Sequence, residues 1–290
     1  MTLAPMTLAP TTPTPMTPMT RTTLRIALAG KGGAGKTTIT ATAARLVAKS
    51  GQHVVAIDAD TNPNLAPALG FDLEQVGRVP ILSTAIVSRR LEGPALNRPL
   101  DEVLAAHASS GPDGIRLVRM GMPDHAHEGC LCSAHAAGAA LLAELGTRTD
   151  TWTFMDLEAS PEHLSRGTAR HADVLVLIAE PYFRSLEAVR LQSRLAKELP
   201  GVTVGVIANK LRSPADADAV VEFVAALGLP VWGQVPWSDD VTAADRAGVA
   251  LIDHAPQSAV VRAIEGAMGK IANERAANRP TREGQVAPCA

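Results

Sequence analysis

The sequence predicts an α/β domain built on a doubly wound, mostly parallel sheet with flanking helices. Three observations carry this reading. Short apolar runs alternate with stretches of helical periodicity along most of the 290 residues, the pattern of a parallel sheet with crossover helices. Some runs, Val174–Ile178 among them, are unbroken Val, Leu and Ile, as suits strands buried on both faces. A glycine-rich segment, Gly30–Thr37, lies directly between the first apolar run and the first helical pattern, and open α/β sheets bind ligands at the carboxyl ends of their strands.

Taken in chain order, strands are expected at Leu24–Ala29, His53–Ala59, Ile115–Arg119, Thr151–Met155, Asp173–Ala179, Val202–Ala208 and Val231–Gln234. Helices are expected at Lys36–Ser50, Ala134–Leu145, Ser185–Glu198, Ala215–Leu227 and Ser258–Ala272. Residues 1–22 repeat the block Met-Thr-Leu-Ala-Pro and are otherwise mostly Thr, Pro and Met. That composition buries too little apolar area to offset chain entropy, so a disordered tail is expected. It makes a poor secretory signal, with no basic residue before Arg21 and no unbroken apolar stretch. Met6, Met16 and Met19 offer alternative starts. One domain, 23–273, follows, and the polar, Pro-containing stretch 274–290 reads as a flexible C-terminal tail.

Hydrophobic residues make up 46% of the chain, enough for a sizeable core, and aromatics only 3%, so that core must be built from Ala, Val, Leu and Ile. The formal net charge of -2 gives no electrostatic footprint for nucleic acid or an anionic membrane. No apolar run approaches the ~18 residues of a bilayer span. The expectation is a cytoplasmic protein with neither nucleic acid nor membrane as a partner. Three cysteines, Cys130, Cys132 and Cys289, are too few for a disulfide framework at this length.

Gly30-Lys31-Gly32-Gly33-Ala34-Gly35-Lys36-Thr37 fits the phosphate-binding pattern Gly-x-x-x-x-Gly-Lys-Thr, in the strand–loop–helix setting that gives the motif meaning. Glycines let backbone N–H groups turn inward around phosphates. The helix that follows adds its positive N-terminal dipole. Lys36 is expected to reach the β- and γ-phosphates and Thr37 to hold Mg2+. With Thr38, these loop residues form the candidate nucleotide site. Asp58 and Asp60 end the second strand, where a carboxylate can hold a Mg-bound water or orient the attacking water. Asp58 is assigned to Mg2+ or phosphate-side support. Asp156, at the end of another strand, is a candidate for the outer shell of Mg2+.

Lys31 is an additional lysine, and Lys31-Gly32-Gly33-Ala34-Gly35-Lys36-Thr37-Thr38 resembles the deviant Walker A loop of the family that includes MinD, ParA, ArsA, the nitrogenase iron protein and the CO dehydrogenase maturation ATPases. The resemblance implies a P-loop ATPase that forms a homodimer, with Lys31 reaching the partner's nucleotide and acting with Lys36 in catalysis. It implies that Asp60 positions the water. It also implies that the loops at Asn209 and Pro236 frame the adenine, with Asn209 reading its edge. Asn209-Lys210-Leu211-Arg212 lacks the aspartate of a guanine reader, so ATP is the expected nucleotide. The family's second switch usually reads Asp-x-x-x-Gly, whereas Ser160 stands at the glycine position after Asp156.

The segment from Asp124 to His135 packs two thiols, three imidazoles and two carboxylates into twelve residues. Ser133 is the expected N-cap of the following helix, which places Cys130 and Cys132 at a positive helix end and favours thiolate. Two thiolates leave a four-coordinate site incomplete, whereas two chains supply four, a set that suits Zn2+ or Ni2+. The nearby histidines are alternative ligands within one chain. Gly129-Cys130-Leu131-Cys132, an Ala/Leu-rich helix and Asp156 through Ala169, with Glu162-His163-Leu164 and Arg166-Gly167-Thr168, look like the CO dehydrogenase maturation branch. That branch implies nickel as cargo and a CO dehydrogenase-like client. An iron–sulfur reductase is disfavoured by the close cysteine spacing. A ParA/MinD-like positioning protein is disfavoured because Ser258–Ala272 carries acidic Glu265 and only Arg262 and Lys270 as basic residues. An arsenite-pump type is disfavoured by the single phosphate loop.

Overall fold

The computed structural model describes residues 23–88, 93, 95–121, 132–159, 164 and 167–277. Ser160, Cys130, Cys289 and the two outer tails, 1–22 and 278–290, lie outside the described residues, as does most of the cysteine- and histidine-bearing segment.

In chain order the elements are β1 (Leu24–Gly30), α1 (Lys36–Lys49), β2 (His53–Ala59), α2 (Leu65–Leu69), α3 (Leu73–Arg78), α4 (Leu100–His107), β3 (Ala108–Ser110), β4 (Arg116–Arg119), α5 (Cys132–Leu145), β5 (Thr151–Leu157), β6 (Val174–Ala179), α6 (Phe183–Ala196), β7 (Thr203–Leu211), α7 (Pro214–Ala226), β8 (Val231–Pro236), α8 (Asp239–Ala247), α9 (Leu251–His254) and α10 (Ala259–Ala277). The strands form one sheet in the order β3-β4-β2-β5-β1-β6-β7-β8. Every pair is parallel except β3 with β4. This is the doubly wound sheet the sequence predicts. Its edge strand Ala108–Ser110 escapes the sequence because Ala-Ser-Ser carries no apolar alternation.

Each central strand feeds both faces, as period-2 side-chain geometry requires. Ile26, Leu28, Val176 and Ile178 pack with α1 and α10 residues such as Ile39, Val47, Met268 and Ile271. Ala27, Ala29, Leu175 and Leu177 pack on the opposite face with Leu141, Leu145, Val189 and Val220 from α5, α6 and α7. Small alanines on β1 let the second layer approach closely.

Several boundaries differ from expectation, and two of the differences change an assignment. The C-terminal helix runs past 273 to Ala277, so 274–277 belongs to the domain and not to a tail. Trp232 Nε1 donates to Glu274, and Arg275 pairs with Asp173 at 3.3 Å, giving these polar residues a buried and a half-buried partner that hydropathy does not reveal. Helix α5 starts at Cys132, so Ser133 is a first-turn residue and not the cap.

The chain order reverses direction across the sheet at β1, which lies between β5 and β6. A crevice forms at such a switch point beyond the strand ends. The loop Gly30–Thr37 fills that position. In register, Asp58 stands beside Asp156, Gly30 beside Ile178, and Ala179 beside Ala208. The candidate residues from β1, β2, β5 and β7 therefore meet at one end of the sheet.

Candidate active site

The phosphate loop is shaped by glycines at two points where no other residue fits. A Cβ on Gly30 would sit 2.8 Å from the Ile178 carbonyl. Gly35, at φ +93°, caps α1, and a Cβ there would sit 2.4 Å from Asn209 Nδ2. Ala34 is buried beneath the loop, its N–H bonded to the Lys31 carbonyl at 3.1 Å. Lys36 is only 6% exposed, and its ammonium faces the Lys31 carbonyl at 3.5 Å. Lys31 is turned away: its ammonium lies 5.8 Å from the centre of the Tyr182 ring. Gly32 and Gly33 are exposed at the loop's crest, and Thr37 and Thr38 are half-buried at the start of α1.

Three carboxylates gather beside this loop. Thr37 Oγ1 donates to Asp156 Oδ2 at 2.6 Å. The buried hydroxyl of Thr40 donates to the Lys36 carbonyl at 2.9 Å and lies 3.4 Å from Asp156 Oδ1. Asp58 accepts from the Leu65 N–H at 2.9 Å and the Asp60 N–H at 3.3 Å. Asp60, half-buried, accepts from the Asn62 N–H at 2.8 Å. Burial pushes Asp156 up to about 7, reinforced by the charges of Asp58 and Asp60 and opposed by Thr37 and Lys36. Burial likewise pushes Asp58 up to about 6, against its two backbone hydrogen bonds. A hydroxyl and clustered carboxylates are hard oxygen donors, the set Mg2+ prefers, and burial without a paired cation is what raises the pKa values of Asp58 and Asp156. The residues present thus fit a divalent cation held at Thr37.

A pocket of about 320 Å³ opens on the other side of the loop, lined among others by Gly35, Thr38, Asn209, Pro236 and Trp237. Asn209 and Pro236 are thus together at one pocket. Asn209 is buried and donates from Nδ2 to the Ala34 carbonyl at 2.7 Å, so it braces the loop from beneath as well as lining the pocket. Trp237, 40% exposed, carries the Arg212 guanidinium 3.8 Å above its ring.

Sequence reasoning missed four residues at this end of the sheet. They are Trp237, Glu180, Tyr182 and Lys210. The signal available for Glu180 was a lone acid directly after a fully buried strand.

Cys132 is exposed in the first turn of α5 and is disulfide-bonded. His135, one turn along, is buried and bonded through Nδ1 to Thr168 Oγ1 at 2.8 Å. It is therefore held in the packing between α5 and the segment after β5, not presented as a ligand. Among the described residues no three His, Cys, Asp or Glu side chains converge closely enough to hold one metal ion by themselves, the three carboxylates beside the phosphate loop included, and Cys130, His125 and His127 lie outside those residues.

Residues 26–252 match the CobQ/CobB/MinD/ParA nucleotide binding domain family. The chain is 35% identical over 241 residues to the carbon monoxide dehydrogenase accessory protein CooC of Rhodospirillum rubrum, covering 80% of this chain and 91% of that protein. It is 32% identical to an uncharacterised ATP-binding protein of Methanocaldococcus jannaschii, covering 75% of this chain and 87% of that one. Among solved structures, MinD of Pyrococcus horikoshii OT3, complexed with Mg-ADP, superposes with a TM-score of 0.59 at 19% identity, over 87% of this chain and 95% of that one. A ParA family ATPase from Chlorobium tepidum TLS gives a TM-score of 0.58 at 18% identity, over 86% and 99%. With the loop, the carboxylates and the sheet order in agreement, the chain belongs to the CobQ/CobB/MinD/ParA nucleotide-binding family, as a CooC-like P-loop ATPase.

Proposed function

We propose that the protein is a cytoplasmic ATPase of metalloenzyme maturation, in which ATP binding closes a homodimer and hydrolysis reopens it. The cargo is a soft metal, nickel by preference and zinc as the alternative. The client is a CO dehydrogenase-like enzyme. The reading is supported most by the contrast between the two loop lysines. Lys36 is buried within its own loop, while Lys31 is turned outward against Tyr182, free of the phosphate position that Lys36 serves. An outward lysine on a phosphate loop is the group a second chain's nucleotide would recruit. The 35% identity to the CooC protein supports the choice of client.

In this reading Lys36 and the loop N–H groups bind the triphosphate, and Thr37 holds Mg2+ with Asp58 and Asp156 behind it. Bound Mg2+ would neutralise charge on the phosphate oxygens. Asp60 orients the attacking water. Asn209 and Pro236 frame the adenine. Cys130 and Cys132 of each chain supply four thiolates to one metal, once Cys132 is reduced.

The experiment is equilibrium nickel and zinc binding under reducing conditions, with and without a non-hydrolysable ATP analogue. The expected result is one metal per two chains, an affinity that changes with nucleotide, and loss of binding in the Cys130→Ser, Cys132→Ser double variant. Unchanged affinity in that variant refutes the reading.

A further inference from the structure

Glu180 follows β6 and is buried at 5% exposure, yet nothing in nucleotide binding or hydrolysis as described so far uses it. Both of its carboxylate oxygens are committed. Oε2 accepts from the Tyr182 hydroxyl at 2.6 Å, and Oε1 pairs with the Lys210 ammonium at 3.0 Å. Its backbone is fixed as well, its N–H donating to Ser185 Oγ at 2.9 Å.

Both partners reach the phosphate loop. The Lys210 ammonium also donates to the Gly33 carbonyl, and the Tyr182 ring carries Lys31. The backbone is bent to make this possible. Lys210 sits at φ +59°, a region L side chains rarely adopt, and the β7–β8 register shifts between Ala208 and Leu211. A bulge at a strand end re-aims a side chain, and strain of this kind persists where the surroundings over-determine it.

We propose that Glu180 is a positioning residue for the phosphate loop. Through Lys210 it fixes the crest of the loop at Gly33, and through Tyr182 it holds Lys31 on its own chain until nucleotide draws it away. The first arm needs only one chain. The second rests on the dimer reading given above.

The two arms are tested separately. Equilibrium binding of a fluorescent ADP analogue needs neither dimer nor metal. Glu180→Gln and Lys210→Met are each expected to weaken it by about fivefold, the scale of one net hydrogen bond. The double variant should be no weaker than either single variant, because both remove the same link. In steady state Glu180→Gln should raise KM for ATP and leave kcat within about twofold, the split expected for lost ground-state binding. Wild-type ADP affinity in Glu180→Gln, or a double variant as weak as the product of the two singles, overturns the proposal. Should Glu180→Gln not fold, Lys210→Met, altered at a partly exposed side chain, decides on its own: wild-type affinity there overturns it. For the second arm, Tyr182→Leu should lower the concentration of non-hydrolysable ATP analogue needed for half-maximal dimerisation by about threefold, the scale of one exposed cation–π contact. An unchanged or higher concentration overturns the parking of Lys31. If the wild type does not dimerise at all, the dimer reading fails while the ADP experiment still decides the role of Glu180.

Discussion

Thr37 Oγ1 donates to Asp156 Oδ2 at 2.6 Å, tying the first turn of α1 to the end of β5. The acceptor is fully buried, and burial holds its pKa near 7 with Asp58 alongside near 6. The folded chain therefore keeps protons on these carboxylates that the unfolded chain releases near pH 4. Since the folded state binds more protons between those limits, stability of the nucleotide-free protein falls as pH rises from about 4 to about 7. Asp156→Asn should flatten that slope and stabilise the nucleotide-free protein at pH 8 by on the order of 2 kcal/mol, measured as denaturant unfolding at pH 5 and pH 8. The same variant should lose about 10- to 100-fold in Mg-dependent ATPase activity, as expected for a second-layer metal partner. A variant that is slower without becoming more stable at high pH would show that the buried charge is relieved in some other way.

Gly35 is a loop position with little tolerance for a side chain. At φ +93°, with Asn209 Nδ2 2.4 Å from a would-be Cβ, Gly35→Ala meets both torsional strain and a clash. The torsional part alone costs about 1–2 kcal/mol. The free loop of the variant should relax out of this conformation, so binding must restore it and nucleotide affinity should fall by about 5- to 30-fold, read by equilibrium binding of an ATP analogue. Adding Asn209→Ala removes the clash but not the strain, so the double variant should recover only part of the loss.

The legible part of this protein is the part governed by short-range rules. The loop Gly30–Thr37 announces itself because phosphate binding needs its glycines and lysine in consecutive positions. The central strands announce themselves because burial on two faces demands runs such as Val174–Ile178, all of them buried. Glu180, Tyr182 and Lys210 were not legible, because their relation depends on β6 and β7 being neighbours and on a backbone bend at Lys210. Trp237 was missed for a similar reason: a tryptophan directly after a strand reads as core or as surface until the pocket around it is visible. The end of α10 was misjudged because Glu274 and Arg275 look solvent-bound until Trp232 and Asp173 are brought against them.

Trp237 supplies a direct optical readout of the pocket. The other two tryptophans, Trp152 and Trp232, are nearly fully buried, whereas Trp237 is 40% exposed at the pocket wall beneath Arg212. Nucleotide entering that pocket should change the intrinsic fluorescence through Trp237 alone. Titration with ADP should give a saturable change in the wild type and none in Trp237→Phe, while a label-free measurement still detects binding to the variant. A change that survives Trp237→Phe would place the base elsewhere.

Metal binding should be governed by redox state. Cys132 is disulfide-bonded and exposed in the first turn of α5, a position whose helix dipole favours thiolate once the bond is reduced. His135 is withheld by Thr168, so this chain's described residues offer the thiol but not an imidazole to a metal near that helix end. A sulfur ligates soft metals as thiolate, not as disulfide. Zinc and nickel titrations should therefore show binding in the presence of a non-chelating phosphine reductant and little without it. Cys289→Ser should leave that dependence intact, because the tail cysteine lies far along the sequence from the candidate ligands. Binding that ignores the reductant would remove the thiolates from the site and shift attention to the histidines at 125 and 127.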